Sequence, residues 1–205
     1  MILIEAFISR FSTLLLQQDK QPWQIIRDLP AAIHHLLAKC GNDYIISNGI
    51  AIHTTATVEE GAVLKAPVIV GKNSFIAAHA YIRGGVFIDE NVTIGTGCEI
   101  KSSIICNNSS IAHFNFIGDS IIGSFVNFEA GAITANHFNE RENKEICVVF
   151  NGELIGTKTL KFGSLIGDCS KIGANAVLSP GTLLPKNTVV KRLELIEQVA
   201  GFETR

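Results

Sequence analysis

Counting from Ile52 in steps of six lands on Val58, Leu64, Val70, Ile76, Ile82, Ile88, Ile94, Ile100 and Cys106, an aliphatic residue at every position but the last. A helix repeats every 3.6 residues and a lone strand every two, so a period of six held this long belongs to neither. The fourth residue after each hit is small or β-branched: Ala56, Ala62, Val68, Ser74, Ala80, Val86, Val92, Cys98, Ile104 and Ser110. The residue beside the hit is often a turn former, as at Gly71, Asp89 and Gly95. Such a hexapeptide repeat is the signature of a parallel β-helix. Each unit predicts a short strand and a corner, with the apolar residue inside and the small one filling the space beside it. The interior is too narrow for aromatics to recur in it, in keeping with one Trp, two Tyr and 18 Gly.

At 205 residues the chain predicts one domain with appendages. The net charge of −2 points to neither nucleic acid nor an anionic membrane as partner. No apolar run reaches the roughly 20 residues of a membrane span. The opening MILIEAFISRFSTLLLQQ lacks a basic start and is interrupted by Glu5 and Arg10, a poor secretion signal, so a cytoplasmic location is expected. The cysteines, Cys40, Cys98, Cys106, Cys147 and Cys169, are odd in number and form no C-x-x-C pair. Cys98 and Cys106 fall at inward positions and read as small buried hydrophobes in a reducing compartment.

Residues 1–48 do not repeat and are expected to be an N-terminal helical segment. Residues 30–41, PAAIHHLLAKCG, predict a short helix with Pro at its start and Gly at its end, where His34 and His35 are surface and packing residues. The β-helix is expected over 49–190. After Cys106 the register continues through Ile111, Ile117, Ile122 and Phe128 with two five-residue steps, and chemistry is sought where a corner has been shortened. Residues 137–163 leave the repeat. A charged run, an apolar stretch and Asn151-Gly152 predict a loop and a hairpin projecting from one corner. The repeat resumes at Ile166, Ile172, Leu178, Leu184 and Val190. Residues 191–205 lose it, and KRLELIEQVAGF reads as a short helical cap on the open end of the stack.

Arg83 and Lys101 each follow an apolar hit and stand eighteen residues apart. If a coil takes three units, they project from the same corner of adjacent coils. Stacked cations repel unless an anion lies between them, and a phosphate suits. The alternative is a surface pair neutralised by Asp89, Glu90 or Glu99. His113 lies in the irregular region. It is either structural or a base for acyl transfer, since imidazole titrates near the working pH.

The stretches AYIR at 80–83, EIK at 99–101, HFNFIGDSIIG at 113–123 and VNFEAGAITAN at 126–136, with NGELI and LKFGSLIGD around the hairpin, resemble a known family. They are similar to the left-handed β-helix acyltransferases, and among these to the acetyltransferase domain of bifunctional sugar-1-phosphate nucleotidyltransferases and glucosamine-1-phosphate N-acetyltransferases. The resemblance covers roughly residues 50–190. It implies an all-β, left-handed parallel β-helix, a homotrimer with its site between subunits, acetyl-CoA as acyl donor, an amino sugar phosphate as acceptor, and no metal. It also implies roles. Arg83 and Lys101 would hold the sugar phosphate, His113 would be the general base, Asn127 and Asn136 would contact the sugar, and Ala130 and Gly131 would lie by the thioester arm.

Three positions depart from the family pattern. Phe116 replaces a substrate-contacting tyrosine, Glu129 stands where glycine is usual, and His137 replaces a tyrosine. Residues 21–26, QPWQII, resemble the link that follows a nucleotide-binding domain in such enzymes. No such domain or Gly-rich phosphate loop precedes it here, so no nucleotidyltransferase activity is expected. Three rival readings remain. A γ-class carbonic anhydrase would need a histidine triad, which His53, His79 and His113 are too scattered to supply. An acyl-carrier-protein-dependent acyltransferase would use a longer donor. A non-catalytic trimeric scaffold is favoured by Phe116 and Glu129.

Overall fold

The computed structural model describes residues 1–11 and 20–199. Strands of two to four residues form three sheets, the three faces of a left-handed prism, parallel throughout except where Tyr44–Ser47, within the segment expected to be helical, pairs antiparallel with Ile50–His53. The chain visits the first, second and third face in turn. The first face runs from Ile50–His53 through Val68–Val70, Val86–Ile88, Ile104–Ile105, Ile121–Ile122 and Ser164–Ile166 to Thr182–Leu184. The second runs from Thr57–Val58 to Val189–Val190, and the third from Val63–Leu64 to Leu195–Ile196. Successive coils are paired in register, so hits stack on hits: Ile82 on Ile100, Ile76 on Ile94, Val70 on Ile88. These side chains are buried and make one continuous interior, with Phe128 as its large aromatic.

One shortened step lies where the period suggested, between Ile117 and Ile122, and the other lies one unit earlier. Ile105, not Cys106, stacks on Ile88, and Ile122 stacks on Ile105. Both five-residue steps therefore fall at the third-to-first corner, between Ile100 and Ile105 and between Ile117 and Ile122. Ser103 and Ser120 then take the small interior position, and their hydroxyls donate to the Lys101 and Gly118 carbonyls. A tight corner turns backbone oxygens inward, and a buried carbonyl needs a donor. Cys98 is inside the prism as expected, whereas Cys106 faces outward into a second core. There burial pushes its thiol well above the usual range.

That second core covers the first face. The outward residues of its strands, Ala51, Ile69, Ile104, Ile121, Leu165 and Leu183, are buried, with Phe87 packed against them. Over them lies a helix, α2, Pro22–Leu37, which follows a one-turn helix, α1, Ile4–Phe7. The main helix begins eight residues before the expected start, because Pro22, not Pro30, occupies the first turn, where proline costs no hydrogen bond. The Gln24 side chain returns to the Gln21 N–H at 2.8 Å, closing that end. Pro30 sits mid-helix against Gly85, where a Cβ would come within 2.9 Å of its ring. Helix α2 buries Trp23, Ile25, Ile26, Leu29, Ile33 and Leu36, each contributing roughly 1.5–3 kcal/mol if fully transferred from water.

The excursion does contain the hairpin, Cys147–Phe150 paired with Glu153–Gly156 across Asn151-Gly152. Both turn residues have positive φ, 52° and 80°, as a tight hairpin turn requires. It does not project freely. Ile146, Val148 and Phe162 are buried in the second core, where Trp23 meets Phe162 edge-on at 6.0 Å. The expected helical cap is also corrected: Leu195–Ile196 is a strand that pairs with Val177–Leu178, so the coil continues beyond residue 190. Residues 200–205 of the expected cap lie outside the described residues, as do 12–19 of the apolar opening.

Candidate active site

Arg83 and Lys101 are register partners on the third face, flanking the buried Ile82 and Ile100. Each cation has an acidic partner. Arg83 Nη2 lies 2.5 Å from Glu99 Oε1, in a pair about one-third exposed on both sides. Lys101 Nζ lies 2.5 Å from Asp119 Oδ2, and these side chains are only 15% and 10% exposed. Asn136 Nδ2 donates to the same Asp119 oxygen, and Asn136 Oδ1 meets His137 Nδ1 at 3.1 Å. Phe116 follows Glu99 on the adjacent column. It lies beside Asn136 across Gly118, where a Cβ would come within 2.7 Å of the Phe116 ring and 2.9 Å of Asn136 Nδ2. Gly118 is therefore the floor on which both side chains rest. The excursion starts just after Asn136 and returns through Phe162 and Gly163, whose N–H groups donate to the Asn136 and Asp119 carbonyls. Arg83, Lys101, Phe116 and Asn136 thus form one cluster at the shortened corner.

His113 is exposed at the opposite, second-to-third corner. Its carbonyl accepts from Gly131 N–H at 2.9 Å, which brings Ala130 and Gly131 beside it. Gly131 has φ +75°, a conformation that L side chains rarely adopt. Asn127 belongs to neither group. It stands on the second face between Ser110 and Lys171. With Glu129, Lys171, Gly173, Lys191 and Arg192 it lines a groove of about 480 Å³. Glu129 does not hang free there. Arg192 grips both its oxygens at 2.5 and 2.7 Å, and the Ala174 N–H donates at 2.9 Å. The Arg192 bond, then the backbone bond, hold its carboxyl below the usual range.

Of the neutralising acids, Glu99 pairs as expected, whereas Asp89 and Glu90 do not pair with the cations. Asp119 carried no assigned role, although it follows Lys101 by eighteen residues and a spacing search for acids would have found it. Among the described residues no group of His, Cys, Asp and Glu could hold a metal ion. No helix among them is long and apolar enough to cross a membrane.

The stacked coils and the chain's sequence relatives place its repeat domain among the left-handed β-helix acyltransferase domains. Residues 45–133 match a family model described as the GMPPB C-terminal domain. More particularly, the chain is similar to bifunctional proteins that pair this domain with another. It is 34% identical over 180 residues to the bifunctional protein GlmU of Methanococcus vannielii, covering 83% of this chain and 41% of that protein. It is 33% identical over 167 residues to a bifunctional sugar-1-phosphate nucleotidylyltransferase/acetyltransferase of Sulfurisphaera tokodaii, covering 78% and 41%. The chain thus spans about two-fifths of the length of these relatives. Among solved structures, a mutant of AntD, an N-acyltransferase from Bacillus cereus in complex with dTDP and coenzyme A, matches with a TM-score of 0.40 at 11% identity, over 77% of this chain and 81% of that one.

Proposed function

We propose that this chain transfers an acyl group, acetyl in the simplest case, from acyl-CoA to the amine of an amino sugar phosphate such as glucosamine-1-phosphate. The observation that carries the reading is the register-paired Arg83 and Lys101 on one outward column, with Asn136 and Phe116 beside them. Arg83 and Lys101 receive the phosphate, Asn127 and Asn136 address the sugar, and Phe116 offers it a ring. His113 takes the proton from the attacking amine, the C–N bond forms, the C–S bond breaks, and the imidazolium returns the proton to the leaving thiolate. Gly131 N–H already serves the His113 carbonyl, so the oxyanion role falls to the backbone of Ala130.

His113 and the cations stand at opposite corners of the third face. A second copy laid against that face would turn the span between them into a cleft, which supports a homotrimer with its sites between subunits. Exposed Val63, Ile133 and Leu195 on the same face fit such a contact. A cytoplasmic setting, where acyl-CoA is made and used, goes with this reading, as does a role confined to acyl transfer without nucleotidyl transfer.

The test is thiol release from acetyl-CoA in the presence of glucosamine-1-phosphate and related amino sugar phosphates. His113→Ala should lower kcat by roughly 10²–10⁴ with an unchanged melting temperature; undiminished turnover removes His113 from the mechanism. A second reading, a non-catalytic trimeric scaffold, is favoured by one observation: Glu99 and Asp119 already neutralise both cations within the chain. Absence of turnover together with no thermal stabilisation by acetyl-CoA would select it.

A further inference from the structure

We propose that Asp119 is a positioning residue of this site: it turns the Asn136 amide so that its carbonyl oxygen faces the acceptor, and it fixes Lys101 beneath that amide. The proposal rests on the acyl-transfer reading. Asp119 is 7% exposed, and a single oxygen, Oδ2, receives both Lys101 Nζ and Asn136 Nδ2. A carboxylate paired with a lysine only accepts hydrogen bonds, so the amide must present its NH₂ to it. The orientation of Asn136 therefore follows from chemistry, and Oδ1 is left pointing away from Asp119. Its neighbour there is the ring of His137, an exposed side chain that an incoming ligand can displace. What Oδ1 can then receive is an N–H or O–H, so the group recognised at this point is the amine or a hydroxyl of the acceptor.

The backbone holds Asp119 to this task. Its N–H donates to the Lys101 carbonyl at 2.8 Å, and its carbonyl accepts from Gly163 at 2.9 Å. Its φ of 46° is a left-handed conformation that Asp tolerates better than most residues. Position 119 is thereby locked at the shortened corner, between the lysine and the exit of the excursion.

The two ion pairs now have different uses. Arg83–Glu99 is about one-third exposed, and pairs of that kind are weak enough to open when a phosphate competes. Lys101–Asp119 is far less exposed, and parting it would strand a carboxylate with little water. Arg83 is the cation that exchanges its partner for the phosphate, and Lys101 meets the phosphate with its Asp119 bond kept.

Steady-state kinetics with each substrate varied in turn test this. An amide in place of the carboxylate offers both donor and acceptor and frees Asn136 to flip. Asp119→Asn should raise the acceptor KM about tenfold, equivalent to about 1.4 kcal/mol, and leave the donor KM unchanged. In an Asn136→Ala background Asp119→Asn should add little to the acceptor KM, because most of its effect runs through Asn136. Asp119→Glu, which keeps the charge and protects the fold, should fall between wild type and Asp119→Asn. If either variant keeps the wild-type acceptor KM, or if the losses from Asp119→Asn and Asn136→Ala simply add, Asp119 does not position Asn136. If both KM values rise together with a fall in melting temperature, its role is structural only. Wild-type protein that neither turns over nor binds glucosamine-1-phosphate would overturn the acyl-transfer reading and this proposal with it; wild-type turnover with unaltered variants would overturn this proposal alone.

Discussion

On the first face the outward side chains are Ala51, Ile69, Phe87, Ile104, Ile121, Leu165 and Leu183; on the third, the same coils turn out Tyr81, Arg83, Glu99, Lys101 and Phe116. The interior cannot tell the faces apart, since hits of the same kind line it everywhere. What differs is the residue between the inward positions. On the first face it is apolar in every coil, and the chain has brought a helix and a hairpin to cover it. On the third face charged residues alternate with apolar ones such as Val63 and Ile133, no helix among the described residues covers it, and ion pairs form on its surface. A β-helix coil thus separates two duties that share one strand: alternate residues build the prism, and the residues between them decide what each face meets.

The sharpest way to break this comparison is to remove a side chain from the cover. Leu29 is fully buried beneath α2. Leu29→Ala should destabilise the protein by about 2–5 kcal/mol in denaturant unfolding, while truncating exposed Val63 or Leu195 on the third face leaves stability nearly intact. A melting curve unchanged by Leu29→Ala would mean that the first-face cover is an ornament.

A smaller effect concerns an ion-pair cluster in the first half of α2. Hydrogen bonds from Arg27 and then Lys20 pull the Asp28 carboxyl down from 3.8 to about 2. Because the folded value is depressed, this contribution is complete above the unfolded value and is lost as pH falls from about 4 through about 2. Solvent screens the pair, so roughly 1 kcal/mol is expected. Asp28→Asn should be less stable than wild type at pH 6 and equal to it near pH 2; a gap that persists in acid would assign the effect to packing instead. The smallest effect belongs to Ile133, 38% exposed on the third face. Ile133→Ala should change the stability of the isolated chain by less than about 0.5 kcal/mol, yet weaken self-association in sedimentation experiments. A large loss of monomer stability would show that the third face is not an open surface.

Much of the fold is legible because a period of six has one physical meaning. The hits from Val70 to Ile100 are buried as the sequence requires. The first-face cover is equally present in the sequence, though the repeat draws attention away from it: Ile69, Phe87 and Ile104 are apolar at outward positions one coil apart, which marks a face that something must cover. Both five-residue steps are visible, and the second falls where the period puts it, but the first falls one unit earlier, because Ile105 and Cys106 are both apolar and both buried. Periodicity cannot separate two acceptable residues in a row; only the strand partner, Ile88, does so. The C-terminal coil keeps the period, since Ile196 stands six residues after Val190, but Glu194 takes the place of the small residue and hides it. In the site, the Arg83 and Lys101 stack can be counted from the sequence, and the distance of His113 from it cannot. Which corner a residue occupies depends on every shortened step before it.

The strap across the first face also changes how the molecule should come apart. A bare solenoid touches only its neighbours, so its coils can fray one by one from either end. Here Asp168, late in the chain, accepts from the Ser9 and Ser124 amides and donates its own N–H to the Phe7 carbonyl, while Phe7 meets Phe150 of the hairpin at 6.4 Å. The opening residues are thereby buttoned to a coil that lies 159 positions further along the chain. Such long-range fastening ties the segment ahead of the stack to one of its late coils, so that coil cannot fray without also releasing the opening residues.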